Sequence, residues 1–166
     1  MTESLGLKLG DYFNSGMLLM NMKELRNVKL AEHFLYLLNK YHFDCVAPDQ
    51  DYLNSMCYGK IEYLDSCWDA MPNRNKPEIK NPKIIHYNLF DKPWCYDDIQ
   101  YQDYFWKYAR QSVYYDQIKA FKAAYTDKQK EDDHTHLLDL FRRAGTNADT
   151  EVTFRKVLES GEKIRL

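Results

Sequence analysis

The stretch GMLLMNM, residues 16–22, decides the fold class. It is a continuous apolar run entered through the turn residues Asn14, Ser15 and Gly16. A run that is apolar without alternation reads as a strand buried on both faces, as in a mainly parallel sheet covered by helices. Next comes VKLAEHFLYLLNKY (28–41), with apolar side chains at 30, 31, 34, 35, 38 and 41, which is the spacing of one helix face. Pro48 then leads an acidic start followed by Leu53, Met56 and Cys57, predicting a short helix that begins near Asp49. KIEYLD (60–65) alternates like a strand, AMPNRNKPEIKNP (70–82) is a loop by its Pro, Asn and Lys content, and KIIHYN (83–88) is a second apolar strand.

After Trp94 the pattern becomes helical. Residues 97–125 set aromatic side chains against Lys, Gln and Asp. DKQKEDDHTH (127–136) is charged and poor in apolar residues, and reads as a joint. LLDLFRRAG (137–145) reads as a helix that stops at Gly145. Strand, helix and strands followed by helices give an α/β fold over residues 1–96 with a helical C-terminal region over 97–166. The sheet is small for a complete α/β domain.

Composition narrows the function. The 166 residues carry a formal charge of -2, so no basic footprint points to nucleic acid. No apolar run has membrane-spanning length and no signal-peptide pattern follows Met1, so a cytoplasmic protein is expected. Cys45, Cys57, Cys67 and Cys95 lack zinc-type spacing and are expected as reduced thiols. His134 and His136 would share a metal only on an extended backbone, and they read more simply as part of a solvated acidic helix start.

KIIHYNLFDKPW (83–94) raises a sharper question, because the apolar run delivers His86 and a lysine, Lys92, follows six residues later. By itself a histidine ending an apolar strand is a packing residue, since one ligand makes no metal site. The wider pattern changes that reading. YFNSGMLLMNMKELR (12–26), PDQDYLN (48–54) and IIHYNLFDKPW (84–94), in that order, closely resemble the second half of the catalytic domain of glycosyltransferase family 8. That family includes bacterial lipopolysaccharide galactosyl- and glucosyltransferases and the glycogenin-like enzymes. The resemblance covers residues 11–96.

The resemblance implies a GT-A type nucleotide-diphospho-sugar transferase fold and hexosyl transfer from a UDP-sugar with retention of configuration. It also implies a divalent cation, Mn2+ or Mg2+, and a glycan or lipopolysaccharide acceptor. By motif position His86 would be a metal ligand and Lys92 would lie against the diphosphate. Asp49 would hydrogen-bond donor-sugar hydroxyls. Gln50 would sit beneath the anomeric carbon as a weak nucleophile or as a stabiliser of an oxocarbenium-like transition state. Asn14 and Ser15 would touch the same sugar, although turn chemistry accounts for them equally well. Asp49 and Asp51 form an Asp-x-Asp, but this one opens a helix, where helix-dipole and capping effects also favour acids.

Two departures accompany the resemblance. The family usually has a glycine three residues after the histidine, where backbone approaches phosphate, and this chain has Leu89. The family's metal Asp-x-Asp and uridine pocket lie in an earlier segment with no equivalent before Asp11. The chain is therefore expected to be inactive alone, completed by another chain or present as a fragment. An open sheet edge would favour homo-oligomers. A rival reading makes the C-terminal aromatic helices a non-catalytic interaction module, with peripheral contact at the inner face of the membrane. A hydrolase using His86 has no nucleophile motif to support it.

Overall fold

The computed structural model describes residues 2–166. Their α-helices are α1 (Thr2–Leu5), α2 (Met22–Asn27), α3 (Leu30–Tyr41), α4 (Pro48–Met56), α5 (Gln102–Ala109), α6 (Tyr115–Ala124), α7 (Asp127–Thr146) and α8 (Phe154–Glu159). Short 3-10 turns occupy Leu9–Asp11, Ser66–Asp69 and Asn147–Asp149. Two compact units result, one of Met1–Tyr63 with Leu137–Leu166 and one of Leu64–His136.

The first unit is built on an aromatic core. Leu5, Leu37, Phe43, Tyr52, Met56, Phe154 and Ile164 are buried together. Phe43 stacks on Phe154 at 3.8 Å between ring centroids, and Tyr52 meets Phe154 edge-on at 4.9 Å. The helix predicted over 28–41 forms as α3, bracketed by Lys29 and His42 in left-handed conformation. Its inward face is Leu30, Phe34, Leu37 and Tyr41, while Leu35 and Leu38 remain exposed. The chain's end returns to this unit: Leu166 N–H donates to the Met56 carbonyl at 2.9 Å, and the Ile164 carbonyl pairs with His33 at 2.7 Å.

The second unit joins the bridge between Ala70 and Ile85 to α5, α6 and the first part of α7. Tyr87, Trp94, Phe105 and Trp106 form an aromatic cluster, edge-to-face except for the tilted Trp94–Phe105 pair. Lys122 ties the turn after Trp94 to α6, donating to the carbonyls of Pro93 at 2.9 Å and Tyr96 at 2.8 Å and pairing with Asp97. The aromatic helices foreseen over 97–125 are present as α5 and α6.

Several expectations are corrected. The strands predicted at 16–22, 60–65 and 83–88 do not form among the described residues, where pairing is confined to the single parallel bridge Ala70–Ile85. The described residues are mainly helical, so the α/β character is not confirmed by them. A strand needs a neighbour to take its ladder hydrogen bonds, and apolar character cannot supply one. At 16–22 the missing neighbour is evident, with Leu19 at 88% exposure and Met22 already the first residue of α2.

The joint expected at 127–136 is helix instead, continuous with the segment after it. Its start is a reciprocal cap. Gln129 N–H donates to the Thr126 hydroxyl at 3.2 Å, and Thr126 N–H donates to the Gln129 side-chain oxygen at 2.9 Å. Gly145 does not end this helix, which runs on to Thr146. A helical glycine costs only about 1 kcal/mol relative to alanine.

Candidate active site

The first group of candidate residues lies where the segment after Asp11 meets the start of α4. Pro48 occupies the first turn of α4, where its missing N–H costs nothing, and Asp49, Gln50 and Asp51 follow. Asp51 is fully buried. Its carboxylate accepts from the N–H groups of Val46 at 2.9 Å and Ala47 at 3.1 Å, and from the Tyr12 hydroxyl at 2.7 Å. Burial pushes its pKa up, with these three donors opposing the shift. Asp51 therefore acts as an anchor for the helix start.

Tyr12 also fixes the amide of Gln50. Its hydroxyl proton goes to Asp51, so the oxygen is left to accept from Gln50 Nε2 at 2.7 Å. That assigns the amide orientation, because Gln50 Oε1 must then face the Ser15 N–H, which donates to it at 2.7 Å. Ser15 Oγ donates to Asp49 at 2.9 Å. Fully buried Asn54 clamps the Phe13 peptide from both sides, accepting its N–H at 2.8 Å and donating to its carbonyl at 2.9 Å. Ser15, Asp49 and Gln50 are thus brought together. Asn14 accepts from the Gly16 N–H at 2.7 Å, an ordinary Asx turn.

The second group lies in the other unit. Hydrogen bonds flanking the Ala70–Ile85 bridge, His86 N–H to Ala70 carbonyl at 2.9 Å and Ala70 N–H to Ile84 carbonyl at 3.0 Å, set His86 beside Asp69. Nδ1 of His86 lies 3.1 Å from Asp69 Oδ1, with both side chains about a quarter exposed (28% and 23%). Lys92 folds back on the residue after the histidine, donating to the Tyr87 carbonyl at 2.9 Å, and its ammonium lies 5.2 Å from the Trp94 ring centre. Leu89 adopts φ 44, the left-handed region. The glycine-type backbone is therefore kept at this position by a residue for which it costs roughly 1 kcal/mol.

His86 has the chemistry of one ligand for a hard or borderline cation, and its ring is open to solvent on part of its surface. Among the described residues no group of three or more His, Cys, Asp or Glu is gathered to hold a metal. His134 and His136 lie two apart on α7 and point to different faces. Cys45, Cys57, Cys67 and Cys95 are free thiols, each partly buried.

Sequence reasoning did not find Tyr12, Asn54 or Asp69. Tyr12 and Asn54 lie inside the quoted motifs, but their roles depend on pairings 39 and 41 residues apart. Asp69 is set beside His86 by one bridge, which no periodicity announces.

Comparison with known proteins decides the family, since residues 2–98, more than half of the chain, match glycosyl transferase family 8. The chain belongs to that family. All six candidate residues of family 8 type, from Asn14 to Lys92, fall within the matched range. A Haemophilus influenzae protein named as a glycosyltransferase is 29% identical over 100 residues, spanning 55% of this chain and 30% of that protein. Lipopolysaccharide 1,2-glucosyltransferase of Escherichia coli is 29% identical over 98 residues, spanning 52% of this chain and 29% of that enzyme. Glycosyltransferase GlyB of Streptococcus pneumoniae is 29% identical over 113 residues, 58% of this chain and 28% of the relative. The matched stretch thus spans under a third of the length of each of these relatives. No solved structure gives a significant match.

Proposed function

We propose that this chain contributes donor-sugar and diphosphate contacts to a retaining family 8 transferase. The reaction is transfer of a hexosyl group from a UDP-sugar to a glycan or lipopolysaccharide acceptor. The observation that carries this reading is the hydrogen-bonded set Ser15, Asp49 and Gln50, formed inside the stretch that matches the family.

The chemistry follows from the groups themselves. Asp49 is exposed and keeps acceptor capacity beyond the Ser15 hydroxyl, so it can take hydrogen bonds from sugar hydroxyls. Gln50 Oε1 has one lone pair engaged by the Ser15 N–H and one remaining. An amide oxygen held in this way offers negative electrostatic potential to a carbon that becomes cationic as its leaving group departs. Lys92 supplies a fixed positive charge toward departing phosphate oxygens. His86 would hold Mn2+ or Mg2+, which when bound supplies Lewis-acid stabilisation of the diphosphate.

The described residues gather no three-ligand set, so the purified chain is expected to bind manganese weakly and to show no measurable sugar transfer. Robust turnover of UDP-glucose or UDP-galactose would contradict that expectation. The sugar contact is tested by saturation-transfer NMR on UDP-glucose against UDP. Hexose protons should receive saturation from the wild-type protein and lose it in Asp49→Ala. Saturation confined to uridine, or unchanged in the variant, would overturn the assignment.

A second reading, attachment of the C-terminal helices to a membrane surface, is favoured by exposed Tyr108, Val113, Tyr114 and Phe121. No helix among the described residues is long and apolar enough to cross a membrane. Co-sedimentation with anionic vesicles tests surface attachment, and absence of pelleting removes it.

A further inference from the structure

We infer that Asp69 is a positioning residue for His86, fixing which ring nitrogen is offered to a bound divalent cation. This rests on the reading of His86 as a cation ligand, and goes beyond it by naming the ligating atom and the group that selects it.

The argument begins with the contact. His86 Nδ1 and Asp69 Oδ1 are 3.1 Å apart. An ionised carboxylate has no proton to give, so a hydrogen bond across this distance needs the proton on Nδ1. In the neutral ring Nε2 then carries a free lone pair, the form a metal requires. Without the carboxylate, neither tautomer would be selected by this contact.

The backbone makes the pairing deliberate rather than incidental. Asp69 ends the 3-10 turn Ser66–Asp69, and Ala70, the next residue, is fully buried and forms the bridge to Ile85. The hydrogen bonds Ala70 N–H to Ile84 and His86 N–H to Ala70 fix the register on both sides of that bridge. The residue before one bridge partner thus meets the residue after the other. Among the described residues Asp69 makes its side-chain hydrogen bond to the imidazole and to no other group, so its carboxylate is committed to His86. Both side chains retain about a quarter of their exposure, so an ion in solvent can reach the ring.

The test uses the whole chain labelled with 15N-histidine, at a pH where the imidazole is neutral, with His86 assigned from His86→Ala. Long-range 1H–15N spectra should show His86 protonated on Nδ1 in the wild type. Asp69→Ala should lose that preference, whereas Asp69→Asn, which keeps an acceptor oxygen, should retain it. Identical tautomer populations in the wild type and Asp69→Ala overturn the proposal.

Manganese titration of the same samples separates this inference from the reading beneath it. Paramagnetic broadening of His86 should require about 10-fold or more manganese in Asp69→Ala than in the wild type. Equal broadening in both, with unchanged tautomers, leaves the ligand reading standing and refutes the positioning role. No His86 broadening in either protein, with Nδ1 protonated in the wild type alone, refutes the ligand reading and leaves only tautomer control by Asp69.

Discussion

The segment around Tyr12 and the segment around His86 both carry candidate chemistry, yet they are held in opposite ways. Around Tyr12 the side chains that fix the backbone are buried and multiply bonded. Asp51 accepts three hydrogen bonds, and Asn54 makes three with Phe13 and Gln50. Around His86 the frame is one bridge, one imidazole–carboxylate contact about a quarter exposed and a leucine in left-handed backbone. Buried networks that are fully satisfied rigidify what they touch, while a single solvent-accessible pair contributes little. The Ser15, Asp49 and Gln50 contacts are therefore pre-set, and His86 depends on a single partner.

This contrast can be broken by substitution. The largest loss should come from Asn54→Ala, which strands the part-buried Phe13 N–H and carbonyl. A decrease of about 3 kcal/mol in urea unfolding is expected. Tyr12→Phe keeps the ring but removes the donor to Asp51 and the acceptor for Gln50, and should cost about 1.5 kcal/mol. It should also release the Gln50 side-chain amide to faster hydrogen exchange.

In the other segment the signs and sizes differ. Leu89→Gly should stabilise by about 1 kcal/mol, because glycine adopts φ 44 without steric cost. An unchanged or lowered midpoint would mean that Leu89 makes contacts that outweigh its strain. His86→Ala should be the mildest, about 0.5 kcal/mol or less, since its contact with Asp69 is partly exposed. A His86→Ala loss equal to that of Asn54→Ala would erase the distinction between the two segments.

What could be read from the sequence follows the same physical line. Helices α3 and α4 were legible because a 3.6-residue period and a proline-led acidic start are local signals. Segments 16–22 and 83–88 have strand character in their side chains, but strand formation depends on a neighbour that composition cannot reveal. The run 127–136 reads as a joint because its apolar content is low, while its Thr126–Gln129 cap is a local helix-start signal. The proximity of Ser15 to Asp49 and Gln50 follows from motif resemblance. The Asp69–His86 contact, 17 residues apart, had no sequence signature.

The most direct measurement is a 1H–15N titration of the labelled chain with UDP-glucose and manganese, compared with UDP and manganese. The account predicts that the Ser15 amide and the Gln50 side-chain amide shift with the sugar nucleotide and stay still with UDP. Identical responses to both ligands, or shifts that spare Ser15 and Gln50, would contradict it.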